Sequence, residues 1–204
     1  NSLIACFKRY QIDATDEMLN RYSEINDAYW KRLERGEISK KDLLNNRFRD
    51  LLKEYALDFI DYETFRNEFQ VYLGTFYSYL DDSINICRRL KNTCKQYVVT
   101  NGVASTQYSK LGLAGFLDVM DGVFVSDEMG VNKPHPEFFN RCLEKIDEKD
   151  KEKILIIGDS LTSDIKGGNN AGIKTCWYNR DGKQASSEYR IDFTIKNLKE
   201  IYAI

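Results

Sequence analysis

The sequence predicts an α/β protein, with a core of parallel strands between two layers of helices and an all-helical segment ahead of it. Three observations lead there. Residues 1 to about 78 carry apolar side chains at helical spacing and contain no strand-like run. From about residue 79, short β-branched runs alternate with helical segments, the pattern of right-handed βαβ units. Stretches such as Ile154, Leu155, Ile156 and Ile157 are apolar without alternation, as strands covered on both faces are.

Taken in order, Leu3, Ile4, Phe7 and Tyr10 share one face of a helix over residues 1–10. Thr15 is an N-cap candidate, and Asp16 and Glu17 suit the positive end of the helix it opens. Met18, Tyr22, Ile25, Tyr29 and Leu33 recur along that helix at steps of three and four, and Gly36 ends it. Ser39 with Asp42 forms a capping-box pattern for a third helix, whose apolar face is Leu44, Phe48, Leu51, Leu52 and Tyr55. A fourth helix is predicted over 62–77. Strands are predicted at 96–100, 122–126, 153–158 and 173–177, with a weaker one at 192–195. The helical segments between and after them fall at 83–91, 104–111, 136–146, 161–171 and 196–202.

The chain has 204 residues, enough for one ordinary domain or a core with a smaller insert. Its 30 Lys and Arg against 32 Asp and Glu leave a net charge of −2, which disfavours a nucleic acid polymer as partner. No apolar run approaches the length of a membrane span. Cys6, Cys87, Cys94, Cys142 and Cys176 are odd in number and form no CxxC, so they read as reduced thiols of a cytoplasmic protein. One histidine and scattered cysteines make no zinc cluster.

In parallel sheets ligands bind beyond the carboxyl ends of the strands, so the residues just after each run are the candidates. Thr100, Asn101 and Gly102 follow the first: a hydroxyl and successive backbone N–H groups that suit an anion, or simply a tight Asn-Gly turn. After the second comes Lys133 in a loop that ends at Pro136, as a fixed positive charge or a solvated lysine. His135, the lone histidine, sits between two prolines and reads as a bystander. After the third come Gly158, Asp159 and, five residues on, Asp164. An aspartate here could be a helix cap; two carboxylates separated only by neutral residues point more to a hard divalent cation such as Mg²⁺.

The order of these signals (strand-Thr-Asn-Gly, Lys-Pro, strand-Gly-Asp-x-x-x-x-Asp) resembles the second, third and fourth motifs of the haloacid dehalogenase-like (HAD) phosphohydrolases. The resemblance covers the whole chain: 79–204 resembles the Rossmann-like three-layer α/β/α core, and 1–78 the helical C1 cap of subfamily I. YWKRLERGEIS, VVTNGVAS, GVNKPHPEFF and GGNNAGIKTCWYN are similar to the bacterial pyrimidine 5′-nucleotidase branch. What the resemblance implies is a Mg²⁺-dependent phosphomonoesterase working through an aspartyl-phosphate on a small phosphorylated metabolite, a nucleoside monophosphate first of all. Thr100 would bond the transferring phosphoryl group, and Asn101 and Gly102 would line its site. Lys133 would neutralise the phosphate and orient the nucleophile. Asp159 would ligate Mg²⁺, and Asp164 would act beside it, directly or through water. The cap would select the substrate, with Tyr22, Tyr29, Trp30, Phe48 and Phe76 able to stack on a base or to pack the cap's own core.

The family's first motif, DxDxT, supplies the nucleophile and the general acid/base, and these 204 residues do not contain it. Ile12-Asp13-Ala14-Thr15-Asp16 has no apolar strand before it and is rejected as that motif. The expectation is a strand and nucleophile loop upstream of Asn1 in the natural protein. Other readings stay open: a sugar phosphate or flavin mononucleotide phosphatase of the same fold, or a non-catalytic binding protein. The chain is expected to be a monomer or a homodimer.

Overall fold

The structure, a computed structural model, describes residues 1–204. It consists of two compact units, Asn1–Tyr77 and Ser78–Ile204.

The first unit is α1 (Ser2–Arg9), α2 (Asp16–Glu34), α3 (Lys40–Glu54) and α4 (Tyr62–Thr75). Local chemistry sets their boundaries. The Thr15 hydroxyl accepts from the Met18 N–H at 3.2 Å, and Ser39 and Asp42 form the reciprocal capping box that opens α3. Gly36 turns the chain out of α2 at φ +74°, a conformation in which a side chain would be strained. The core is aromatic: Phe48 lies 5.6 Å from Phe65 and 4.9 Å from Phe69 between ring centroids. Tyr22 stacks on Phe48 at 5.5 Å, Tyr29 donates its hydroxyl to Asp50 at 2.5 Å, and Trp30 packs against the same cluster. Phe76, just past α4, is exposed.

The second unit runs α5 (Ser83–Leu90), β1 (Tyr97–Thr100), α6 (Ala104–Leu113), β2 (Gly122–Val125), α7 (Ser126–Met129), α8 (Pro136–Ile146), β3 (Leu155–Gly158), α9 (Lys166–Ala171), β4 (Lys174–Tyr178) and β5 (Phe193–Ile195). All strand pairs are parallel, but the strands form two sheets rather than one, β1-β2 and β3-β4-β5. One buried cluster spans both, from Phe124 of β2 through Phe138, Phe139 and Cys142 of α8 to Ile156 of β3, with Tyr97 and Val99 of β1 packed on it. No hydrogen-bonded ladder joins β1 to β3.

Three local features differ from the sequence expectation. Ser126 opens a single helical turn that Gly130 closes at φ +69°, where the pattern had placed the end of a strand. The predicted helix over 161–171 begins as a wide π-type turn, Leu161–Ile165, before α9, with the Ile165 N–H reaching back to the Ser160 carbonyl. The C-terminal segment Leu198–Ala203 winds as a tighter 3₁₀ helix. No helix is long and apolar enough to cross a membrane. All five cysteines are free thiols, and burial pushes Cys6 and Cys142 up to about 12, so both act as small apolar side chains.

Candidate active site

Lys133 is the centre of the arrangement. It sits in the loop between α7 and α8 and is only 7% exposed. Its ammonium donates to the Val99 carbonyl of β1 at 3.0 Å and to Asp164 Oδ1, just past β3, at 2.7 Å. An ammonium has three donors, so one N–H of Lys133 is left for a ligand. The residue is aimed by Asn101: the Lys133 N–H donates to Asn101 Oδ1 at 2.8 Å, and Asn101 Nδ2 donates to the Lys133 carbonyl at 2.9 Å.

This clamp gives Asn101 a job that the sequence did not show, since its side chain binds protein rather than facing a substrate. Asn101→Ala leaves two buried main-chain groups unpaired, each worth about 1–3 kcal/mol. The expected result is a fall in the denaturation midpoint together with a lower kcat; an unchanged midpoint would remove the clamp from the account.

Asp164 is buried at 7% exposure and has both carboxylate oxygens engaged. Oδ1 faces Lys133, and Oδ2 accepts from the Ser160 N–H at 3.2 Å. The π-type turn brings it back over the end of β3, where only glycine leaves room: a Cβ on Gly158 would stand 2.2 Å from Asp164 Oδ2. Gly158→Ala is therefore expected to push Asp164 off Lys133 and to cut turnover at least tenfold. Kinetics within twofold of the parent would mean that the carboxylate finds room without harm.

Asp159 differs from Asp164 in every respect. It is exposed, and its carboxylate takes no partner within the chain. Its main chain is fixed instead, because the buried Trp177 donates its indole N–H to the Asp159 carbonyl at 3.1 Å. Trp177 reaches it because β4 pairs with β3 in the register Gly158 to Trp177. Sequence reasoning missed this contact, since Trp177 within KTCWY reads as core; the parallel alignment of the two runs was the available signal.

Thr100 and Gly102 complete the edge of β1. The Gly102 N–H donates to Thr100 Oγ1 at 3.0 Å, leaving the hydroxyl hydrogen of Thr100 to point elsewhere. Asp127 of α7 accepts from the Ala104 N–H at 3.0 Å and so caps α6, another contact that spacing alone did not reveal. His135 stands away from this chemistry as the N-cap of α8, its Nδ1 accepting from the Glu137 N–H at 3.2 Å.

Lys133 and Asp164 cancel, and Asp159 adds one uncompensated negative charge. No group of three or more His, Cys, Asp or Glu side chains gathers anywhere in the chain. Mg²⁺ needs no such cage: it is held by one or two carboxylates with water and phosphate oxygens supplying the rest. An unpaired, exposed Asp159 beside the hydroxyls of Ser160 and Thr162 fits that donor set. Asp164, with both oxygens occupied, fits a role in holding Lys133 better than direct ligation.

The family profile of the haloacid dehalogenase-like hydrolases matches residues 2–172. The chain belongs to the HAD-like hydrolases. Among relatives of this family, the HAD-hydrolase YfnB of Bacillus subtilis is 36% identical over 198 residues, 97% of this chain and 84% of that protein. The crystal structure of YfnB bound to magnesium, which reveals interdomain movement, superposes with a TM-score of 0.94 over 99% of this chain and 88% of that one. The pyrimidine 5′-nucleotidase PynA of Streptococcus pneumoniae is 36% identical over 78% of this chain and 67% of its own length. The pyrimidine 5′-nucleotidase YjjG of Escherichia coli is 26% identical over 96% of this chain and 85% of its own. The HAD-like assignment and the α/β fold with parallel strands thus agree with the sequence reading.

Proposed function

We propose that this HAD-like hydrolase removes phosphate from small phosphomonoesters, with nucleoside 5′-monophosphates as the first class and Mg²⁺ as the cofactor. The observation that carries the reading is Lys133, a buried ammonium fixed by the Val99 carbonyl and Asp164 with one donor left over at the carboxyl edge of the strands. A phosphoryl group in transfer spreads negative charge over its oxygens, so catalysis is mostly positioning and charge neutralisation. Lys133 donates to one such oxygen, and the Thr100 hydroxyl and the Asn101 N–H would serve others, while the Gly102 N–H is spent on Thr100 Oγ1. Asp164 holds Lys133 rather than the substrate. Asp159 would hold Mg²⁺, which when bound supplies the positive charge that a phosphate dianion needs beside a carboxylate.

The split sheet supports a further part of the reading. All four β1 residues are only half-buried and Ile157 of β3 is 41% exposed, although strands of parallel sheets are ordinarily covered on both faces. A further parallel strand between β1 and β3 would join the two sheets at the edge beside Lys133. The helical unit then serves as the cap that selects the leaving group. The similarity to two pyrimidine 5′-nucleotidases favours pyrimidine monophosphates.

The test is a screen of the full-length natural protein with Mg²⁺ against nucleoside monophosphates, sugar phosphates and flavin mononucleotide. A preference for uridine and thymidine monophosphates is the expected result. A preference for sugar phosphates or flavin mononucleotide would keep the chemistry and replace the substrate. No turnover of any phosphomonoester would overturn the reading.

A further inference from the structure

The helical unit contains a charge with no counter-ion. Arg47 of α3 is 3% exposed, and its sole hydrogen bond runs from Nη1 to Asn26 Oδ1 of α2 at 2.7 Å. Asn26 is a neutral amide and leaves the guanidinium charge intact. The rings of Phe48 and Phe69 lie 4.8 and 5.6 Å from the guanidinium carbon. Tyr22 lies close enough for the two to interact electrostatically, but burial pushes its phenol up to about 12, so at neutral pH it carries no charge with which to balance Arg47. Burial also lowers the pKa of Arg47 below the ordinary arginine value, and no carboxylate acts to hold it up.

Within the guanidinium the unmet groups are on one side. Nε is buried without a hydrogen-bond partner, one of two such side-chain atoms in the chain. Nη2 also makes no bond to protein. Nε and Nη2 together form the edge of the planar fork that binds two oxygens of one carboxylate or phosphate side by side. Asn26 holds the remaining nitrogen and thereby fixes the plane. A buried ion without a partner is among the costlier features of a fold, and a buried arginine is ordinarily paired. Aromatic faces attract a cation but accept no N–H bond in the plane of the guanidinium.

We propose that the Nε/Nη2 edge of Arg47 is an anion-binding subsite within the helical unit, taking the paired oxygens of a phosphate or carboxylate group. The proposal does not depend on the hydrolase chemistry of the other unit, and its failure would leave that reading untouched.

The test is an NMR titration of the arginine Nε–Hε cross-peaks, with the Arg47 peak assigned by its disappearance in Arg47→Met. Inorganic phosphate is added in one arm and succinate in the other. A saturable shift of the Arg47 peak is expected while the Arg66 peak, whose Nε donates to Asn67 at 3.2 Å, stays in place. A response to phosphate alone, to succinate alone or to both identifies the anion; a response to neither overturns the proposal. Arg47→Met supplies the second arm. A ligand-binding charge is costly to the empty fold, so its apolar replacement is expected to match or exceed the parent in Tm. A drop in Tm of several degrees would make Arg47 a structural cation and overturn the proposal as well.

Discussion

Lys133→Met is expected to lower turnover of a phosphomonoester by roughly 10²- to 10³-fold, the loss typical when one preorganised donor is taken from developing negative charge. The effect comes from geometry as much as from charge. Lys133 is held by Val99, Asp164 and the Asn101 clamp, so its remaining N–H is aimed before any ligand arrives. Removing it also leaves Asp164 buried without its cation, and breaking such a pair costs about 3–5 kcal/mol. Loss of activity must therefore be separated from loss of fold. The double variant Lys133→Met/Asp164→Asn removes the stranded charge as well as the ammonium. It is expected to regain much of the stability lost in the single variant and none of the turnover. Denaturant midpoints and kcat, measured on the same samples of the full-length natural protein, give the comparison. A double variant that recovered turnover along with stability would show that Lys133 matters only to folding.

The parts of the molecule that were legible in the sequence are those set by local chemistry. Thr15, Ser39, Asp42 and Gly36 act within a few residues of themselves, and each does in the structure what its type and place predict. The rule that parallel sheets bind ligands at their carboxyl ends brought Thr100, Lys133, Asp159 and Asp164 forward as candidates, although Lys133 and Asp164 meet across 31 residues of chain. What stayed hidden depends on register between strands and on the aim of single side chains. Asn101 stood among the anion-binding candidates for its main-chain N–H, with a plain Asn-Gly turn as the alternative; whether its side-chain amide faces outward or toward Lys133 is decided by where the loop after α7 passes. Trp177 holds Asp159 only because β4 aligns Trp177 with Gly158. The separate duties of the two aspartates were hidden in the same way, since the apolar spacing over 161–171 reads equally as a regular helix. The π-type turn is what sends Asp164 inward to Lys133 and leaves Asp159 facing solvent.

Those duties make Asp159→Asn the most discriminating substitution at the site. Asparagine keeps the shape and one carbonyl oxygen and removes only the charge. Asp159 is exposed and its carboxylate has no partner in the chain, so the fold should not notice: a stability change within about 0.5 kcal/mol is expected, as for ordinary surface positions. Mg²⁺, by contrast, is a hard cation that depends on carboxylate charge, and Asp159 is the one unpaired carboxylate at this edge. Mn²⁺ binding, followed by the loss of its free-ion EPR signal and competed with Mg²⁺, is expected to weaken at least tenfold. Turnover should fall by about 10²-fold or more, with partial recovery at high Mg²⁺ as mass action refills the site. Asp164→Asn should do the reverse. It strands Lys133 in a buried setting, so stability falls by several kcal/mol while the affinity for Mn²⁺ changes much less. The two variants therefore separate along independent axes, metal affinity and stability. If Asp159→Asn destabilised the fold and spared Mn²⁺, the assignment of ligand and positioning residue would have to be exchanged.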